Sequence, residues 1–194
     1  MAFAWACQAA VVEAGEAGTR TAGPIALPTD EECWKKLPPT ESASGGPLPN
    51  WAKAVSVSLP RTAAAMLELD LAHRTKSPLD PILRAKMRWA IARANRCAYS
   101  EAYALADLDR LGVDGATIQT LISGPAAWPE DDLDALEFAL LHSVAAPTIT
   151  DELFARLRGR YGDKQVAAMV LLGAYGNFQD RLILGLEIPV EDGG

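Results

Sequence analysis

Residues 80–112 read DPILRAKMRWAIARANRCAYSEAYALADLDRLG, and this stretch sets the fold class. Asp80 before Pro81 marks a helix start: the aspartate can cap the first free N–H groups, and a proline at the first helical position gives up an N–H that has no partner there. Ile82, Leu83, Met87, Trp89, Ala90 and Ala94 then recur at helical spacing to about Asn95. Residues 97–111 either continue this helix or form the next one. Gly112 stops them, since glycine suits the left-handed position after a helix end.

The same texture fills the chain from Pro60 onward. Arg61 to Arg74 carries Ala64, Met66, Leu67 and Leu71 as an apolar stripe. Asp114 opens a short helix to Ile122, and Pro129-Glu130-Asp131-Asp132 loads negative charge onto the start of a helix reaching about Val144. Thr150 opens a helix to Arg160, Gly162 closes it, and Asp163 caps a long last helix that ends before Pro189. β-branched alternating runs are nearly absent, so the chain is expected to be all-α, with about seven helices. Seven of the 13 prolines lie at or before Pro60, interleaved with Gly, Thr and Ser. Residues 1–50 are therefore expected to be a mostly irregular arm and residues 51–194 the helical domain.

Composition narrows the function. The 194 residues carry 18 Lys and Arg against 25 Asp and Glu, a net charge of −7, without a basic block, which argues against nucleic acid as a partner. The longest apolar stretch, Val166 to Gly176, is far short of the ~20 residues of a membrane helix, and no basic residue precedes the apolar N-terminus, so the expectation is a protein that neither enters a membrane nor carries a secretory signal. Cys7, Cys33 and Cys97 are an odd, widely spaced set that suits a reducing, cytoplasmic setting. No metal-ligand pattern and no phosphate-binding glycine motif occurs, so no metal and no cofactor is expected. Gly173 and Gly176 cost roughly 1 kcal/mol each inside a helix, and the reading that offsets this is close approach of another backbone.

Cys97 is the candidate reactive residue. Arg93 and Arg96 stand near it and favour thiolate. If the segment is helical, Cys97, Ser100 and Glu101 share a face, bringing a hydroxyl and a carboxylate to the sulfur. The competing reading is an inert packing cysteine. Arg88, Arg93, Arg181, His73 and His142 are candidates by type for holding a carboxylated ligand; as solvated or ion-paired charges and ordinary histidines they have plain structural roles too. The five tryptophans are spread along the chain, and Trp34 and Trp51 are expected to pin the proline-rich third to the helices.

Leu83-Arg84, then Asn95-Arg96-Cys97-Ala98-Tyr99-Ser100, then the alanine-rich run to Gly112 resemble the core helix pair of the AhpD-like alkylhydroperoxidase and carboxymuconolactone decarboxylase family. Thr150-Asp151-Glu152 and the segment Tyr175-Gly176-Asn177-Phe178-Gln179-Asp180-Arg181-Leu182 are similar to its closing helices, so the likeness spans about residues 48–190. The peroxidase branch of that family uses a glutamate, a Cys-x-x-Cys beginning twelve residues on, and a histidine four after the second cysteine. Here those positions hold Ala85, Cys97, Ser100 and Ala104. The resemblance thus implies an AhpD-like fold, a homo-oligomer such as a trimer or hexamer, and a one-cysteine hydroperoxide reductase. In it Cys97 is oxidised to a sulfenic acid that an external thiol, or Cys7 or Cys33, resolves, with Glu101 in place of the absent glutamate and Tyr103 in place of the absent hydrogen-bond donor. Its second branch implies a lyase acting on a small carboxylated ring compound, and a non-catalytic oligomeric binding protein is the third reading.

Overall fold

The computed structural model of the chain describes residues 25–41 and 45–191. Among them are eight α-helices and no strand: α1 (Asp30–Lys36), α2 (Asn50–Ser56), α3 (Pro60–Thr75), α4 (Pro81–Asn95), α5 (Ala98–Arg110), α6 (Gly115–Ile122), α7 (Glu130–Val144) and α8 (Asp151–Gly185), with short 3₁₀ turns at Pro125–Ala127 and Ala146–Thr148.

The helix starts follow local chemistry. Asp80 accepts from the N–H groups of Ile82 and Leu83 at 2.9 and 3.0 Å, and Asp114 does the same for Thr117 at 2.9 Å. The expected irregular arm is corrected at two places. Asp30–Lys36 is a helix closed by a capping box, in which Thr29 Oγ1 accepts from the Glu32 N–H and Glu32 accepts from the Thr29 N–H. A second helix begins at Asn50. Both are a mere seven residues long, too short for an apolar period to appear in a proline-rich context.

The junction at Cys97 is a true break. Arg96 lies in the left-handed region (φ 57°), the Cys97 N–H bonds the Ala92 carbonyl, and the Arg96 N–H bonds that of Arg93, which together make a Schellman end. Gly112 closes α5 in the same way at φ 76°, as its position predicts. Gly162 (φ 74°, ψ 162°) kinks α8 where the sequence places a stop.

Two apolar clusters fill the interior. The larger joins α4, α5, α7 and α8 through Met87, Ile91, Leu108, Leu136, Phe138 and Met169. The smaller joins the first three helices to the start of α5 and the end of α8, with Trp51, Met66, Cys97 and Ile183. Trp34 donates to the Gly46 carbonyl at 3.0 Å and Trp51 is buried, so both anchor the proline-rich third as expected. Trp5 and Cys7 lie outside the described residues.

Gly173 and Gly176 of α8 make room for side chains, which corrects the expected backbone approach. A Cβ on Gly173 would stand 2.7 Å from His142 Nδ1, and one on Gly176 would stand 3.0 Å from Ile91 Cγ2. No helix among the described residues is long and apolar enough to cross a membrane.

Candidate functional site

A line of polar side chains crosses the interface of α4 and α8. In α4 the core-facing positions include Arg84, Arg88, Ile91 and Asn95, spaced by three and four residues, so one stripe carries two guanidiniums and an amide. In α8 the stripe through Val166, Met169, Gly173, Gly176 and Ile183 also contains Asp180. The two stripes meet. Asp180, wholly buried, takes Arg88 Nη2 at 2.5 Å on one oxygen and, on the other, Arg88 Nη1 at 3.2 Å and Asn95 Nδ2 at 2.9 Å. Gln179 Oε1 accepts from Arg88 at 3.1 Å and Asn177 from Asn95 at 2.7 Å. A buried carboxylate persists only when its charge is paired and its lone pairs are filled, and this shell meets both demands.

The network reaches the thiol through Ser100. Arg88 Nη2 donates to Ser100 Oγ at 2.8 Å, and the Cys97 S–H donates to the same oxygen at 3.4 Å. Cys97 is wholly buried, and burial pushes its thiol above the usual range; Ser100 and Arg88 pull in the opposite direction and Asp180 adds to the rise. The guanidinium facing the sulfur is therefore Arg88. Arg93 and Arg96, expected to favour the thiolate, lie on the surface. Arg93 instead meets Glu101 at 3.4 Å, so the carboxylate expected at the sulfur serves a partly exposed ion pair. Because Cys97 sits before the first turn of α5, it does not share the helical register that placed Glu101 with it.

Ser100 and Arg88 open onto a cavity of about 30 Å³, space for one or two water-sized groups. Asp70, His73, Arg74, Arg84 and Asp107 also line it. Asp107 binds Arg74 Nη1 with both oxygens at 2.9 Å and Arg110 at 2.8 Å, while Arg74 Nε also holds Asp70 at 2.8 Å. His73 stacks on Tyr175 with ring centroids 5.0 Å apart, and burial lowers its pKa. Tyr103, expected to stand in for a missing donor, lines the cavity and stacks on Tyr99, whose hydroxyl donates to Glu191 at 2.7 Å. Of the carboxylate-holding candidates, Arg88 and His73 reach this cavity, whereas Arg93, Arg181 and His142 do not line it. Cys33 is a second buried free thiol, in the same apolar cluster as Cys97. No cluster of three or more His, Cys, Asp or Glu side chains suited to a metal occurs among the described residues.

Sequence reasoning missed Asp180, Asn95, Gln179 and Arg84. The available signal was a charged or amide residue in register with a core stripe, as Asp180 is with Gly176 and Ile183.

No family model matches the sequence, nor does any curated protein. Solved structures do. A peroxidase-related protein of Silicibacter sp. superposes with a TM-score of 0.72 at 18% identity, covering 91% of this chain and 96% of its own. An Agrobacterium tumefaciens protein of unknown function, described as a candidate antioxidant defence protein AhpD, gives 0.56 at 21% identity, covering 68% of this chain and 93% of its own.

The fold is AhpD-like.

The debrominase Bmp8 shares it: its apo form gives a TM-score of 0.67 at 18% identity, over 84% of this chain and 86% of its own. A variant of the same debrominase, crystallised with 2,3,4-tribromopyrrole, gives 0.66. An AhpD-like fold thus serves proteins named for different activities, so what this chain does turns on its own side chains.

Proposed function

We propose that the protein is a single-cysteine oxidoreductase that reduces a small hydroperoxide at Cys97. The observation that carries this reading is the Ser100 hydroxyl, held by Arg88 at 2.8 Å, touching the Cys97 sulfur at 3.4 Å and lining a cavity the size of one or two water molecules. A peroxide group matches that space. The thiol loses its proton; the thiolate attacks one peroxide oxygen, the O–O bond breaks, and the products are a Cys97 sulfenic acid and an alcohol or water. An external small-molecule thiol then displaces water from the sulfenic acid to give a mixed disulfide, and a second thiol releases Cys97 reduced. Arg88 fixes the Ser100 oxygen, whose own O–H can turn toward the sulfur once the thiol proton has left. With Ser100 at the position of a second cysteine, the reductant must come from outside this pair. Two buried free thiols among the described residues suit a reducing, cytoplasmic setting.

A homo-oligomer, trimer or hexamer, belongs to the same proposal. Val170, Leu171, Ala174, Phe178 and Leu184 form an exposed apolar stripe along α8, with Leu171 and Phe178 each 53% exposed, and this is the face on which copies would associate.

Treatment with hydrogen peroxide, trapping with a sulfenic-acid reagent and peptide mass spectrometry test the chemistry. Label is expected at Cys97 ahead of Cys7 and Cys33, with a rate that climbs as pH rises through 7 to 9, because burial keeps the thiol protonated at neutral pH. An unlabelled Cys97 across that range makes it a packing residue and ends the redox reading.

A further inference from the structure

Among the described residues Arg84 is a buried cation without a hydrogen-bond partner. It is 8% exposed and faces the cavity, yet its Nε has no partner there, and the ion-pair contact it makes with a described residue is Nη2 to Asp107 at 3.8 Å, beyond hydrogen-bond reach. The carboxylates around it are committed elsewhere. Both Asp107 oxygens serve Arg74, and one also serves Arg110; Asp70 holds Arg74 Nε; Asp180 holds Arg88 and Asn95. A second buried donor or acceptor in the same wall, His73 Nε2, is also unpartnered. Guanidinium cannot shed its charge as a lysine can, so an unfilled arginine in a cavity is costly and points to a counter-charge that arrives from solution.

We propose that Arg84, with His73 beside it, binds a compact monovalent anion in this cavity, of the size of a halide or of a single carboxylate group. Size sets the upper limit: about 30 Å³ takes one or two water-sized groups and no bulky oxyanion. Charge sets the sign. His73 takes part as the neutral Nε2–H tautomer, a donor that fits an anion and needs no proton from solution. A water molecule would satisfy the N–H groups but leave four guanidiniums, Arg74, Arg84, Arg88 and Arg110, against three carboxylates, Asp70, Asp107 and Asp180. The anion would occupy the same cavity as the peroxide and so compete with it, but its binding needs neither Cys97 nor a peroxide.

The test is thermal unfolding in sodium gluconate, whose anion is too large for the cavity, with gluconate replaced at constant ionic strength by bromide or by formate. The wild-type Tm is expected to rise by about 3–6 °C for each tenfold increase of the binding anion above its Kd. A rise with bromide alone identifies a halide site, a rise with formate alone a carboxylate site, and either supports the proposal. R84M is expected to lose the rise entirely while matching or exceeding the wild-type Tm in gluconate, since it removes a buried charge whose Nε has no hydrogen bond. R84K, which keeps the charge but lacks the planar fork, is expected to retain a weaker rise. No rise in the wild type with either anion, or an undiminished rise in R84M and R84K, overturns the proposal. Running the series on C97S as well separates it from the redox reading: the anion response is expected unchanged there, whatever the sulfenic-acid trapping gives.

Discussion

Asp180 places a charge wholly inside the protein. It is 0% exposed, and its partner Arg88 has a side chain 12% exposed. Removing one member of such a pair leaves the other charged and buried, at a cost of about 3–5 kcal/mol, whereas replacing both by apolar groups is often neutral. D180L is therefore expected to lower the stability measured by urea unfolding by about that amount, and the double variant R88M/D180L to recover most of it. The pair also holds Ser100, so R88M/D180L should refold yet label more slowly at Cys97. That combination separates a positioning role from a structural one. A packing-only Asp180–Arg88 pair would leave the labelling rate of the recovered double variant at the wild-type value.

Within α8, three of the glycines have different meanings. Gly173 faces the ring of His142 at 2.7 Å for an added Cβ, so G173A must displace that ring and is expected to cost about 1–3 kcal/mol, recovered in G173A/H142A. Gly159 meets nothing within 4 Å and has an ordinary helical backbone, so G159A is expected to gain up to about 1 kcal/mol from helix propensity alone. Chemical denaturation of the two variants side by side checks both signs. Gly162 differs again, since its φ of 74° is what lets α8 turn. Sequence placed the break there correctly, because a positive φ is a property of one residue and its neighbours. The purpose of Gly173 was not readable, because His142 lies on another helix.

For the molecule as a whole, buried His73 and half-buried His142 set a pH response. Burial holds His73 and His142 below the ordinary histidine pKa of 6.5. Above that value both are neutral whether the chain is folded or not. As pH falls through about 6.5 the unfolded chain takes up protons first, so stability falls with falling pH until the folded pKa values are passed. Tm is expected to drop between pH 7 and pH 5, and H142F to flatten part of that drop. Assembly is checked at the same level: the wild type should elute above monomer size in light scattering, and F178E, which places a charge in the exposed apolar stripe, should shift it toward monomer.

The sequence alone determined what depends on neighbours within about five residues. Helix starts at Asp80-Pro81, Asp114 and Thr150, the left-handed stop at Gly112, the break at Gly162 and the all-α class were legible because caps, periods and turn residues act locally. The family likeness added the core pair around Cys97, and the superpositions bear out its fold. The short helix α1 escaped because seven residues carry too little period to outweigh the surrounding prolines. Tertiary structure decided the site. That Arg88 rather than Arg93 faces the thiol, that Glu101 turns to the surface, and that Arg84 is left without a hydrogen-bond partner among the described residues all follow from how α4, α5 and α8 pack. Those contacts join residues up to 92 positions apart, as Arg88 and Asp180 do, and their distances depend on three-dimensional packing, which no local pattern encodes.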